Sequence, residues 1–195
     1  VPVDRAIIGP DYKCYVDQSN KELGKRVADY IAADLTKKYG SPKGKVVELQ
    51  GTPGNVPTEH RREGFHDRIA EKYPNITIVA SQNTDYTRAG GMRVMENILQ
   101  GQKEIDAVYT HEDEIALGAV EALKSSKRLQ GIIITGNGGS KAALESIRRG
   151  KMTACAAYSP IAAGTIGMRA AAKILHKKKS PRISSYSARS QPETT

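Results

Sequence analysis

Apolar positions along the chain fall into two rhythms: short unbroken runs, and longer stretches in which they recur every third or fourth residue. The first reads as buried strand and the second as one face of a helix. Leu23, Val27, Ile31 and Leu35 stand four apart behind Ser19 and Asn20, either of which can cap a helix, and Gly40-Ser-Pro closes it. Residues 12–17 ahead of that helix read as a short strand. Val46, Val47 and Leu49 mark a strand that enters a Gly51-Thr-Pro-Gly loop, and Phe65 and Ile69 mark the inner face of a helix over Glu59 to Tyr73. A strand at Asn75 to Ala80 precedes a helix with Met92, Met95, Ile98 and Leu99 inward. Ile105 to Thr110 leads into a helix carrying Ala116, Val120 and Leu123, and Gly131 to Thr135 into one from Ser140 to Arg149. Thr153 to Tyr158 and a helix from Ile161 to about His176 complete six strands alternating with six helices.

Such alternation predicts an α/β fold, an open parallel sheet flanked by helices on both faces. The 195 residues suffice for the core of one domain. With no Trp and a single Phe, that core must be built from Ile, Val, Leu and Ala. A net charge of +9 suggests a nucleic-acid partner at first sight, but residues 177–195 hold five basic residues and one acid, so +4 of it sits in the tail. A basic tail of low apolar content is expected to be a solvated, flexible terminus, and no basic patch interleaved with aromatics accompanies it; nucleic-acid binding is not expected. Cys14 and Cys155 show no CxxC or metal-ligand spacing and read as buried free thiols. There is no signal peptide, and the apolar segment Ile161 to Ala172 is interrupted by Arg169 and too short to span a bilayer, so no membrane insertion is expected. The opening Val1-Pro2-Val3, with no initiating Met, reads as a cut in a longer chain.

The densest polar chemistry follows Thr110, where an apolar strand ends and Glu112, Asp113 and Glu114 crowd the start of a helix. In a parallel sheet such a junction is one rim of a ligand crevice. Three adjacent acids do not share a helix face, and acids at a helix start are favoured by its dipole. Capping, expected of Asp113 and Glu114, accounts for them better than catalysis or a metal site with His111. His60 and His66, six apart, are expected to be solvated. Gly136-Asn-Gly-Gly meets Lys141 where the GxGxxG pattern needs glycine, and Gly51-Thr-Pro-Gly lacks the Gly-Lys-Ser/Thr ending of a phosphate-binding loop. No Ser or Cys nucleophile has a recognisable setting, so neither an enzyme, a cofactor nor a metal is expected. Tyr86 and Tyr158 stand where a strand meets a helix. An aromatic there either offers a flat face to the C–H surface of a sugar or plugs the edge of the core.

Several stretches carry a resemblance: Asp4-Arg5-Ala6, Val47-Glu-Leu-Gln-Gly-Thr-Pro-Gly leading to Arg62-Glu-Gly-Phe65, Ser81-Gln with Asp85-Tyr-Thr-Arg88, Val94 to Leu99, and Asp113-Glu-Ile-Ala-Leu-Gly-Ala119. In order and spacing they resemble the ribose-binding family of periplasmic solute-binding proteins, nearest to its pentose and galactofuranose binders. The resemblance covers Asp4 to about His176. It implies one lobe of a type I periplasmic binding fold, the carboxyl-terminal one. Residues 1–6 would be a remnant of an inter-lobe crossing, 7–158 the sugar-binding lobe, 159–176 a return helix normally packed on the first lobe, and 177–195 the basic tail. The implied partners are a small sugar and an ABC permease, and the implied compartment is the periplasm or a membrane-tethered extracellular position. A return helix without its lobe would expose an apolar face, which predicts homodimers through it.

Carried over by position, Asp4 and Arg5 match the family's sugar-hydroxyl ligands at the first crossing, and Tyr86 stands where an aromatic packs on the sugar. Asn137 lies on the same expected rim. Four positions depart from the family. Glu59 stands for arginine, Glu112 for asparagine, Gly138 for aspartate, and Tyr158 for a polar amide or acid. A carboxylate cannot donate as arginine or an amide does, which implies either a cationic or amino-bearing ligand or a degenerate site. Two alternatives share the fold: the effector domain of a lactose-repressor-like regulator, and a sensor or adaptor lobe that binds a partner protein.

Overall fold

The computed structural model describes residues 1–3 and 13–176. They divide into a larger compact unit, Asn20–Ala157, and a smaller one formed by the segments before Asn20 and after Ala157.

The larger unit runs α1 (Asn20–Tyr39), β1 (Gly44–Gln50), α2 (Val56–Lys72), β2 (Ile76–Asn83), α3 (Arg88–Gly101), β3 (Ala107–Thr110), α4 (Asp113–Ser125), β4 (Ile133–Gly138), α5 (Lys141–Arg148) and β5 (Ala154–Ala157). The five strands form one sheet in the order β2-β1-β3-β4-β5, every neighbouring pair parallel. Strand alternation sorts the core into two layers. Val46, Ala107, Tyr109 and Ile133 point towards Val27, Ile31 and Leu35 of α1 and Phe65 and Ile69 of α2. Val47, Leu49, Val108 and Ile134 point towards Met95 and Ile98 of α3 and Ile115, Ala119 and Leu123 of α4. Helices therefore cover both faces, as the alternation of elements predicts.

α1 and α2 touch backbone to backbone. A Cβ on Gly64 would sit 1.9 Å from the carbonyl oxygen of Lys21, and one on Gly24 2.2 Å from that of Arg61, so neither position accepts a side chain without parting the helices. On the other face, a Cβ on Gly118 would meet the Arg88 carbonyl oxygen at 2.1 Å, which brings α3 and α4 equally close.

In the smaller unit, the strand expected over residues 12–17 reduces to a single parallel bridge, Val16 with Val3, and a hydrogen bond from the Val16 N–H to the Pro2 carbonyl at 3.1 Å. Among the described residues the sheet thus has five strands where six are expected, because residues 13–17 of this segment pair at Val16 only. α6 (Pro160–Leu175) starts at Ser159, whose hydroxyl accepts from the Ala162 N–H. It buries Gly167 and Ala170, with Gly167 close against Val3, and leaves Ile161, Met168 and Leu175 exposed at spacings of seven. The expected basic tail, 177–195, lies outside the described residues.

Candidate functional site

The strand order reverses between β1 and β3. α2 follows β1 on one face and α4 follows β3 on the other, so a crevice opens outside the carboxyl ends of these two strands. Polar side chains concentrate at that edge. Glu48, Gln50, Thr58, Thr84, Thr110, His111, Asp113, Thr135 and Asn137 are all buried there, in a fold whose core is mainly aliphatic.

The β3–α4 junction is held by its own acids. Glu112, extended at φ −159° and ψ 156°, is the N-cap of α4, and its carboxylate accepts from the Glu114 N–H at 2.5 Å. Asp113 lies fully buried behind it and accepts from the Gly139 and Ser140 N–H groups at 2.7 and 2.6 Å, clamping the turn between β4 and α5. Glu114 faces outward and pairs with Arg88. Capping thus belongs to Glu112, where Asp113 and Glu114 were expected. The extended backbone at residue 112 directs that side chain back onto the helix start, and Asp113 is turned inward towards β4. Burial pushes the Glu112 carboxyl above its ordinary range, assisted by the neighbouring Asp113 and Glu114 carboxylates and opposed by the Glu114 N–H. Glu112 has no ion-pair partner among the described residues.

Gly138 is the residue this arrangement requires. Its φ is +142°, and a Cβ there would sit 2.8 Å from Asp113 Oδ2 and 3.5 Å from Glu112 Oε1. The two carboxylates fill the space that a side chain at 138 would enter. Asn137 is buried, because strand alternation turns it to the α1/α2 face. Its Nδ2 donates to the Thr110 carbonyl at 3.1 Å, and its Oδ1 has no hydrogen-bond partner. It supports the edge from within and does not line the rim as expected.

Glu59 is exposed in the first turn of α2. Tyr86 is half-buried with φ +63°, a left-handed conformation uncommon for a side chain of that size. Its ring lies over Gly51, whose missing Cβ makes the room, and its hydroxyl is 2.6 Å from Thr58 Oγ1. The ring therefore bridges the end of β1 and the start of α2. Tyr158 is half-buried in the smaller unit. Asp4 and Arg5 lie outside the described residues.

Beneath the rim lies a network that sequence reasoning missed. Glu48, fully buried in the middle of β1, accepts from His111 Nε2 at 3.0 Å, His66 Nε2 at 2.8 Å, Ser81 Oγ at 2.5 Å and Gln50 Nε2 at 3.2 Å. Burial opposes its ionisation, but the donors of His111, His66 and Ser81 outweigh that and hold its carboxyl at about 2. Burial keeps His111 neutral by lowering its pKa against the pull of Glu48. His66 is thus tied to the core where solvation was expected. The signal was a charged residue set among Val46, Val47 and Leu49, in a strand that is apolar on both faces. Tyr109 stacks on Phe65, with ring centroids 4.4 Å apart, and meets the His111 ring at a tilt, 5.1 Å between centroids. Arg61 donates to the His111 carbonyl and, at 2.8 Å, to Asn20 Oδ1.

Among the described residues no group of three or more His, Cys, Asp or Glu side chains could hold a metal ion, and no helix is long and apolar enough to cross a membrane. Cys14 and Cys155 are free and half-buried.

Comparison with known proteins gives a consistent result. The periplasmic binding protein domain family matches residues 1–179. The ribose import binding protein of Bacillus subtilis is 39% identical over 179 residues, which are 92% of this chain and 55% of that protein. The ribose import binding protein of Salmonella typhimurium is 33% identical over 179 residues, 92% of this chain and 58% of its own length. The chain thus spans somewhat over half the length of these relatives. Among solved structures, the fructose-binding periplasmic domain of a hybrid two-component system superposes with a TM-score of 0.84 at 31% identity, covering 95% of this chain and 60% of that one. The arabinose-binding component of an ABC transporter from Shewanella sp. ANA-3, bound to L-arabinofuranose, gives 0.81 at 32% identity, covering 91% and 59%.

Proposed function

Since this chain belongs to the periplasmic binding protein domain family, we propose that it is the sugar-recognition lobe of an ABC-transporter solute-binding protein. Its ligand is a pentose, a furanose or a related polyol, and it acts without catalysis outside the cytoplasmic membrane. The observation that carries this reading is the crevice at the β1/β3 reversal, with Glu112 on one side and Tyr86 on the other, in a fold shared with proteins whose structures hold arabinofuranose and D-allose. Asp4, Arg5, Glu59, Gly138 and Tyr158 are the further positions assigned to ligand contact or clearance, and the permease is the partner on release. A lobe covers one side of its ligand, so its own affinity is weak.

Titration calorimetry against D-ribose, D-allose, L-arabinose, a galactofuranoside, myo-inositol and D-glucosamine tests this. Saturable heat with one or more of them is expected, abolished by Tyr86→Ala. Preference for D-glucosamine over every neutral sugar would follow from the half-buried Glu112, which has no ion-pair partner among the described residues. Absence of saturable binding to the whole panel counts against sugar recognition. The likeness to a fructose-binding domain of a two-component system favours a second reading, a sensor lobe, which predicts a histidine kinase in the same gene and no cognate permease. Exposed Ile161, Met168 and Leu175, one stripe of α6, support self-association through that helix. Light scattering that finds only monomers across a hundredfold range of concentration removes that part of the proposal.

A further inference from the structure

Ligand recognition by Glu112 requires that its carboxylate point in one direction before the ligand arrives, and its own capping bond fixes only the far end of the side chain. The near end is fixed by the residue before it. His111 is anchored at three points: its N–H donates to the Leu49 carbonyl at 3.0 Å, its carbonyl accepts from Arg61, and its ring Nε2 donates to Glu48 Oε1 at 3.0 Å. The first bond belongs to the sheet, which any residue can supply. The ring bond is specific, and it ends on a carboxylate that is wholly buried and holds β2 through Ser81 and α2 through His66. The peptide between His111 and Glu112 is thus tied to three neighbouring elements through one side chain. Thr110 adds a hydroxyl bond to the Glu112 carbonyl at 2.8 Å.

We infer that Glu48 is a positioning residue for the ligand rim, acting through His111 to set the direction of Glu112. This rests on the assignment of Glu112 to the rim. The chemistry of the pair supports it. Burial keeps the ring neutral, so one nitrogen carries hydrogen and the other does not, and the ionised Glu48 requires that hydrogen on Nε2. His111 Nδ1 is then a buried acceptor with no hydrogen-bond partner among the described residues, and the Glu48 bond sets the tautomer. A network used only for packing would have no need of an ionised group, since burying a carboxylate costs more than burying an apolar residue of similar size.

The test compares His111→Gln, whose side-chain amide can still donate to Glu48, with His111→Ala, which cannot. Two readouts on the unliganded protein are used, so the outcome is independent of which sugar binds. The first is amide exchange at Glu112 and Asp113. The second is the titration midpoint of the Glu112 carboxyl, followed by carbon NMR on glutamate-labelled protein. In the wild type, ring nitrogen shifts are expected to place the His111 proton on Nε2. With His111→Ala, exchange at Glu112 is expected to quicken by about tenfold or more, the loss of one charge-assisted bond, and the Glu112 midpoint to fall towards the ordinary glutamate range as its side chain turns outward. His111→Gln is expected to retain both wild-type values. Equal behaviour of the two variants, or an Nδ1–H tautomer in the wild type, overturns the inference. A loss of thermal stability with an unmoved Glu112 midpoint also overturns it, because that is the signature of packing alone. If no sugar binds, the proposed function fails while these readouts still decide the role of Glu48.

Discussion

Replacing Asp113 by alanine removes the clamp on the turn between β4 and α5, and its cost can be worked out from the contacts. The buried carboxylate accepts from two backbone N–H groups, at 2.7 and 2.6 Å. A hydrogen bond to a charged group contributes about 1.5–3 kcal/mol, and leaving its donor unsatisfied adds to the loss. Against this, alanine no longer buries an ionised group. The net loss expected is about 2–4 kcal/mol, and Asp113→Asn, whose amide oxygen can replace Oδ2, the one oxygen that accepts both bonds, loses only their charge assistance and should lose about half as much. Gly138→Ala introduces a Cβ 2.8 Å from Asp113 Oδ2 at a φ of +142°, for about 1–3 kcal/mol. Because the clash partner is Asp113 itself, the double variant should be more stable than the sum of the single losses by about 1 kcal/mol or more. Urea unfolding followed by circular dichroism, with all four proteins fitted at a common slope, measures the cycle. A loss below about 0.5 kcal/mol for Asp113→Ala, or strict additivity with Gly138→Ala, would refute the clamp.

Three further outcomes follow from the same contacts. Glu48 and His111 both predict loss of stability in acid. His111 has a depressed folded pKa, so stability falls as pH drops below the ordinary histidine value of 6.5, and Glu48 contributes above 4.5 a stabilisation that is lost as pH falls towards about 2. The Glu48 part, on the order of 3 kcal/mol, should vanish from urea midpoints measured across that range in Glu48→Gln. Glu112 has the opposite sign: its raised folded pKa gives stability that is present below 4.5 and lost as pH rises through the folded value. Glu112→Gln, which can still cap α4, should therefore raise the melting temperature at pH 7 and leave it unchanged at pH 4; equal shifts at both would exclude the cause given. Gly64→Ala must part α1 from α2, with an expected loss of about 3 kcal/mol or more, and a melting temperature equal to wild type would show that the helices are free to slide.

The periodicity of apolar residues revealed the helices and the five paired strands because burial itself is periodic. It failed where burial is not the cause of structure. Val16 pairs at one position, and an apolar run cannot tell a strand from a bridge. β2 extends through Ser81, Gln82 and Asn83 because β1 offers partners as far as Gln50, a fact about the neighbour and absent from the segment's own composition. The acids at 112–114 were visible as a cluster, but which of them caps depends on backbone angles that residue type does not specify. Asn137 was expected on the rim from its place at a strand end, and the parity of the strand put it inside. Glu48 is illegible from sequence because a single charged residue within an apolar run leaves the strand pattern unchanged. His66 and His111 are illegible for the same reason, since their roles depend on that carboxylate.

The reversal of strand order between β1 and β3 also has a bearing on how the protein folds. β1 with β2, and β3 with β4 and β5, are joined by single helical crossovers and can form from local chain. The β1–β3 pairing must close over α2, β2 and α3, so its loop entropy is the largest in the sheet. The crevice lies on that seam, between two halves that meet late. A ligand seated across it should slow unfolding in proportion to its affinity and leave the refolding rate unchanged, so that it acts as a latch on the finished sheet and takes no part in its assembly.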